Sequence, residues 1–273
     1  MGILVLMLFS ALFYGGYGHF MKEKAEVIRE TVHIKNIPVI ETFIDDGKKK
    51  PMIIVQHGFK NKKESTIELA NKLAEKGFFV VSPDAYAHGQ RTEGALSLVE
   101  IIVNTSREYD KLIGAYAKDD RVDIKRLGIT GFSMGGCITF HYAVYGKYHP
   151  EAIAPTISTP YFEQLIGSNL SRSIYSSKQG LTIAQDENTI NHIDQYILDN
   201  SPYKDYRNLK DVAVLMQNGE MDQYVNSNGV NMLKDTLSKI NPRVTLVMIP
   251  ETRHQVKPEM INNIVDFMCH NVN

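Results

Sequence analysis

The stretch Arg126 to His141 constrains the fold of this chain more than any other. It opens on a short apolar run of strand type, Leu127 to Thr130, and closes on a run of helical type, Cys137 to Val144. Between them lies Gly131-Phe132-Ser133-Met134-Gly135, which fits G-x-S-x-G. A strand that turns sharply into a helix through such a serine lifts the hydroxyl clear of the backbone. Side chains at the two flanking positions would collide with the neighbouring strand and helix, so glycine is required there. The helix that follows aims its N-terminal N–H groups and positive dipole end at the serine. Ser133 is therefore a candidate nucleophile.

The rest of the chain supplies a frame for that turn. Val27 to Val39 reads as one β-type segment and Glu41 to Ile44 as a second, followed by a polar turn, Asp45 to Lys50. Pro51 to Gln56, Phe78 to Ser82, Ala152 to Ser158, Val212 to Met216 and Val244 to Ile249 are near-continuous apolar runs, the pattern of strands buried on both faces. Helical spacing marks Glu64 to Gly77, Leu96 to Tyr116, Val225 to Ile240 and Pro258 to Cys269. Buried strands alternating with helices mean a mostly parallel central sheet flanked by helices, and such sheets bind ligands at the carboxyl ends of their strands. From about Pro160 to Asn200 the rhythm breaks. This stretch, rich in Ser, Asn, Gln and Tyr, is expected to be a small lid inserted after the sixth strand.

A serine hydroxyl needs a base, and the base needs a carboxylate to fix its tautomer. After Ser133 in chain order come Asp222, just past one strand, and His254, just past the next. Glu220 is an alternative acid, but Asp222 lies further past the strand end, where a turn through Asn218-Gly219 aims it back. The oxyanion of acyl transfer needs two N–H donors. Met134 follows the nucleophile directly, and the loop after the strand ending at Gln56 offers Phe59. His57 and His88-Gly89 are expected to tie loops down, and Arg91 to pair with a carboxylate. Tyr86 and Tyr161 are candidate substrate-binding residues, with Tyr175 and Tyr196 as further tyrosines of the insert.

The composition of the 273 residues narrows the classes of function. A net charge of −1 with no basic stripe gives no nucleic-acid surface. Two cysteines, Cys137 and Cys269, make no disulfide framework, and Cys137 with His141 on one helical face lacks a third metal ligand. Neither a metal nor an organic cofactor is required by the chemistry. Residues Gly2 to Phe20 are almost uncharged and fit three readings: a membrane anchor, an apolar element packed on the body, or a segment ahead of a start at Met21. The last is favoured, which implies one domain over 21–273 and a cytoplasmic protein, with membrane contact only if residues 1–20 form an anchor.

These residues together resemble the α/β-hydrolase-fold serine hydrolases. The similarity is greatest to bacterial esterases of the dienelactone-hydrolase and prolyl-oligopeptidase-like group. The motifs that carry it are Ile53-Ile-Val-Gln-His-Gly-Phe59, Pro83-Asp-Ala-Tyr-Ala-His-Gly-Gln-Arg91, Gly131 to Gly136, Asn218-Gly-Glu-Met-Asp222 and His254. The resemblance implies hydrolysis of a small-molecule ester through an acyl-enzyme. Dienelactone hydrolases proper use cysteine where this chain has Ser133, and the family often has glycine shortly before the histidine, where this chain reads Glu251-Thr-Arg-His254. A small peptidase with the same triad, or a non-catalytic binding protein of the same fold, are the rival functions.

Overall fold

A computed structural model describes residues 26–272. The apolar segment 1–20 and a start at Met21 lie outside the described residues. The chain opens with two strands, β1 (Val27–Ile34) and β2 (Ile37–Ile44), paired antiparallel with Ile34 opposite Ile37. In sequence this region divides after Val39. The turn is instead Lys35-Asn36, with both residues at positive φ (52° and 68°), as the two-residue turn that matches strand twist requires. No glycine flags it; asparagine tolerates that conformation better than most side chains.

Then follow β3 (Lys50–Gln56), a 3-10 turn over Lys63–Thr66, α1 (Ile67–Glu75), β4 (Phe79–Pro83) and a two-residue strand β5 (Leu96–Ser97). Next are α2 (Leu98–Tyr116), β6 (Val122–Phe132), α3 (Met134–Tyr145) and β7 (Ala152–Thr156). Helix α2 starts on a capping box, in which Ser97 accepts from the Glu100 N–H and the Glu100 carboxylate reaches back to Ser97. Past β7 come β8 (Ser173–Ser176), β9 (Gly180–Ile183), α4 (Glu187–Asn200), β10 (Ala213–Gly219), α5 (Ser227–Leu237), β11 (Val244–Ile249) and α6 (Pro258–Asn271).

The main sheet has eight strands in the order β1-β2-β4-β3-β6-β7-β10-β11. From β4 to β11 neighbouring strands are parallel, and β2 joins β4 antiparallel. This is the α/β-hydrolase fold. Alternate residues of β3 divide the core. Met52 and Ile54 pack with α2 and α3 on one face, while Ile53 and Val55 pack with α1 and α6 on the other. Helix α3 is apolar on all sides because sheet and neighbouring helices cover it; every residue from Met134 to Val144 is buried. From β3 the chain passes to β4 on one side and later returns to β6 on the other. The carboxyl ends of β3 and β6 thus flank the point where strand order reverses, where open α/β sheets form their crevice.

The insert is more regular than its sequence suggests. Strands β8 and β9 form a hairpin that pairs through β8 with β5, making a separate three-stranded sheet, and α4 follows. The pairing hangs the insert over the start of α2. Its strands are short and mostly polar, and β5 offers only two residues as a partner, so no apolar alternation announces them.

Candidate active site

Ser133 sits between β6 and α3 at φ 52° and ψ −114°, a backbone conformation that costs a non-glycine residue on the order of 1–3 kcal/mol. Two hydrogen bonds hold it there. Its N–H donates to the Thr156 carbonyl of β7 at 2.9 Å, and its carbonyl accepts from the Cys137 N–H at 3.0 Å. The flanking glycines are dictated by close approach: a Cβ on Gly131 would lie 2.4 Å from the Gly135 carbonyl oxygen, and one on Gly135 would lie 2.3 Å from that of Gln56.

His254 Nε2 lies 2.8 Å from Ser133 Oγ, and His254 Nδ1 lies 2.7 Å from Asp222 Oδ2. The Asp222 side chain is wholly covered, and its other oxygen accepts from the N–H groups of Tyr224 (2.9 Å) and Val225 (3.0 Å). Burial opposes its ionisation, but the hydrogen bonds from His254 and the two N–H groups outweigh it and hold the carboxyl below its ordinary range. Glu220 is exposed and makes no contact with the imidazole. The loops carrying Asp222 and His254 are stapled together. Met221 N–H donates to the Thr252 carbonyl, and a Cβ on Gly219 would lie 2.2 Å from that same oxygen. Glu251 takes φ 51°, so a glutamate makes the left-handed turn ahead of the histidine.

The loop after β3 is fixed by two buried histidines. His57 Nε2 accepts from the Ala85 N–H and its Nδ1–H donates to the Gly58 carbonyl. His88 repeats the pattern, with Nε2 accepting from the Lys60 N–H and Nδ1–H donating to the Tyr86 carbonyl. Accepting at Nε2 requires neutral rings. Burial, opposed in part by the hydrogen bond to Gly58, pushes His57 down to about 4, and burial lowers His88 as well. Beneath them the buried Asp84 carboxylate receives Lys63 Nζ at 2.9 Å and the N–H groups of Lys63 and Gln90. Gly89 is at φ 57°, where a Cβ would meet Asp84 Oδ1 at 2.2 Å. Phe59, in this loop, and Met134, first residue of α3, line the same cavity as Ser133 and His254. The N–H of Met134 has no acceptor within its own helix.

That cavity encloses about 780 Å³. Tyr86 and Tyr161, expected against substrate, are not among its lining residues. Arg91 covers the Tyr86 ring at 4.0 Å and itself pairs with Glu93 and Glu108, while Tyr161 packs edge-on to Tyr203. Tyr175 meets Phe59 edge-on and His88 at a tilt, and it is not among the cavity's lining residues. The aromatic side chain that does line it from beyond β10 is Tyr224, whose ring stands 5.2 Å from that of His254. Its position two residues past Asp222 was the only available signal. The apolar lining of the insert, Leu165, Leu170, Leu181 and Ile183, was also missed, because these residues look like ordinary packing in sequence.

Cys137 lines the cavity with its thiol toward the Thr159 carbonyl, and His141 turns away to Ser106 Oγ, so the two share no ligand. Among the described residues no cluster of three or more His, Cys, Asp or Glu side chains is placed to hold a metal ion. No helix among them is long and apolar enough to cross a membrane.

Comparison with known proteins adds to this geometry. The sequence pattern of the Dienelactone hydrolase family matches residues 41–258. Esterase YjfP of Escherichia coli (strain K12) is 26% identical over 249 residues, spanning 87% of this chain and 96% of that protein. YitV of Bacillus subtilis (strain 168) is 33% identical over 118 residues, 40% of this chain and 46% of that protein, so the chain spans less than half the length of this relative. Among solved structures, TT1662 from Thermus thermophilus has the same fold, with a TM-score of 0.69 at 18% identity over 91% of this chain and 99% of that one.

Proposed function

The chain belongs to the dienelactone hydrolase family, and on that premise we propose that it is a carboxylic-ester hydrolase working through Ser133, His254 and Asp222. One observation carries this reading: an unbroken hydrogen-bonded series runs from Ser133 Oγ through the imidazole to a buried carboxylate, and it opens onto a cavity.

In the proposed reaction His254 Nε2 takes the Ser133 proton as Oγ attacks the ester carbonyl carbon. Asp222 fixes the tautomer with the proton on Nδ1 and stabilises the imidazolium that forms. The N–H groups of Met134 and Phe59 hold the negative oxygen of the tetrahedral intermediate. Its collapse breaks the bond to the alcohol oxygen, which leaves with the proton from His254. Water, deprotonated by His254, then attacks the acyl carbon, and collapse breaks the bond to Ser133 Oγ, which takes the proton back from His254 as the carboxylic acid leaves.

The substrate is thus a small ester, and residues 160–200 act as its lid. The test is a panel of acyl esters, thioesters and aminoacyl amides on wild type and Ser133→Ala. Ester turnover that falls by several orders of magnitude in the variant supports the reading. Equal turnover by the two proteins ends it, and preference for the amides replaces it with a peptidase.

A further inference from the structure

We propose that the enzyme acts on esters with an aliphatic acyl chain longer than acetyl, which lies under the insert while the alcohol leaves on the opposite side. This rests on the acyl-transfer reading above and adds to it the direction in which substrate lies.

The imidazole sets that direction. His254 must protonate the departing alcohol oxygen, so the leaving group lies on the His254 side of Ser133 and the acyl group on the other. On the His254 side the cavity is lined by the residues that follow the base, Val256, Lys257 and Pro258, together with Ser65 and Glu68 beside the start of α1. Leu69 of α1 and Ile261 of α6 also line the cavity there, so on this side the charged Lys257 and Glu68 stand among apolar groups.

The far side differs in chemistry. Leu98 and Ile102 of α2, Cys137 of α3, and Leu165 and Leu181 of the insert face one space. Leu98, Ile102, Cys137 and Leu165 are otherwise buried, at 4%, 0%, 7% and 6% exposure, so the wall is preformed apolar core. Two hydroxyls that also line the cavity are engaged within the protein. Thr159 Oγ1 accepts from Gln164 and from the Tyr161 N–H, and Ser173 Oγ donates to the Asn169 carbonyl. Walls built from these five side chains favour methylenes over polar acyl groups. The β5–β8 pairing holds the insert against the start of α2, so this arm exists before substrate arrives.

The experiment uses p-nitrophenyl esters from acetyl to hexanoyl, which keep the leaving group constant, and acetate esters of methyl to hexyl alcohols, which keep the acyl group constant. Each fully buried methylene is worth roughly a factor of four, so four give at most about two-hundredfold. The hexanoyl ester should exceed the acetyl ester in kcat/KM by tenfold or more, while the alcohol series changes by less than threefold. Leu181 is 39% exposed and tolerates substitution. Leu181→Glu should lower the hexanoyl-to-acetyl ratio of kcat/KM at least fivefold. A flat acyl series, a steeper alcohol series, or equal effects of Leu181→Glu on both esters overturns the proposal. If Ser133→Ala still loses all turnover, the hydrolase reading stands without it. If Ser133→Ala retains turnover, the hydrolase reading itself falls.

Discussion

Asp222 Oδ2 lies 2.7 Å from His254 Nδ1, while the other oxygen of the same carboxylate is committed to two backbone N–H groups. The carboxylate therefore cannot rotate without breaking backbone contacts, and it dictates which imidazole nitrogen carries the proton. Asp222→Asn keeps the shape but presents an amide to Nδ1 and favours the wrong tautomer. Its kcat on esters should fall by about three to four orders of magnitude. Glu220→Gln, two residues away and exposed, should stay within twofold. Steady-state kinetics on both variants checks this, and a large loss in Glu220→Gln with little in Asp222→Asn would reverse the assignment.

Stability should fall as the solution is acidified from neutral pH. His57 is pushed to about 4, His141 to about 3, and His88 is lowered, each chiefly by burial. In the unfolded chain they titrate near 6.5. Below that pH the unfolded state binds protons that the folded state refuses, so their contribution is complete above about 6.5 and is lost as pH drops toward their folded values. Each group adds a slope of up to about 1.4 kcal/mol per pH unit. Urea midpoints should decline between pH 7 and 5, and His141→Gln should reduce the slope by one group's share. A flat profile over that range would contradict the neutral buried rings.

Lys63 and Asp84 form a buried ion pair under the loop that carries Phe59, with side chains 1% and 0% exposed. Lys63→Met leaves the carboxylate buried and uncompensated and should cost about 3–5 kcal/mol. Lys62→Met, at a side chain 64% exposed, should change stability by about 0.5 kcal/mol or less. Denaturant titration compares the two.

Gly135 tests the closeness of helix and strand at the turn. A methyl group there would press on the carbonyl oxygens of Gln56 and His57 at 2.3 and 2.7 Å, and both are backbone atoms. Gly135→Ala should destabilise by about 2 kcal/mol or more and abolish ester turnover, whereas Gly94→Ala, which meets nothing within 4 Å, should do neither. Thermal melts and activity on the two variants provide the comparison.

What was legible in the sequence followed from pattern. The strands β3, β4, β7, β10 and β11 are apolar throughout or nearly so, and the ends of such runs located the loops in which Ser133, Asp222, His254 and Phe59 lie. Their mutual distances are products of the sheet order, which no local pattern states. The hairpin turn at Lys35-Asn36 was missed because it lacks glycine, and β8 and β9 because they pair with only two residues of β5. Tyr86 differs for another reason: its loop is legible, but nothing in sequence shows that Arg91 lies over its ring.

The most direct test of the central claim is active-site labelling. A fluorophosphonate should form one adduct per chain, mapped by peptide mass spectrometry to Ser133, with ester turnover lost in proportion to labelling and no adduct on Ser133→Ala. Absence of labelling under conditions that label a control hydrolase, or an adduct elsewhere with turnover intact, would contradict Ser133 as the nucleophile.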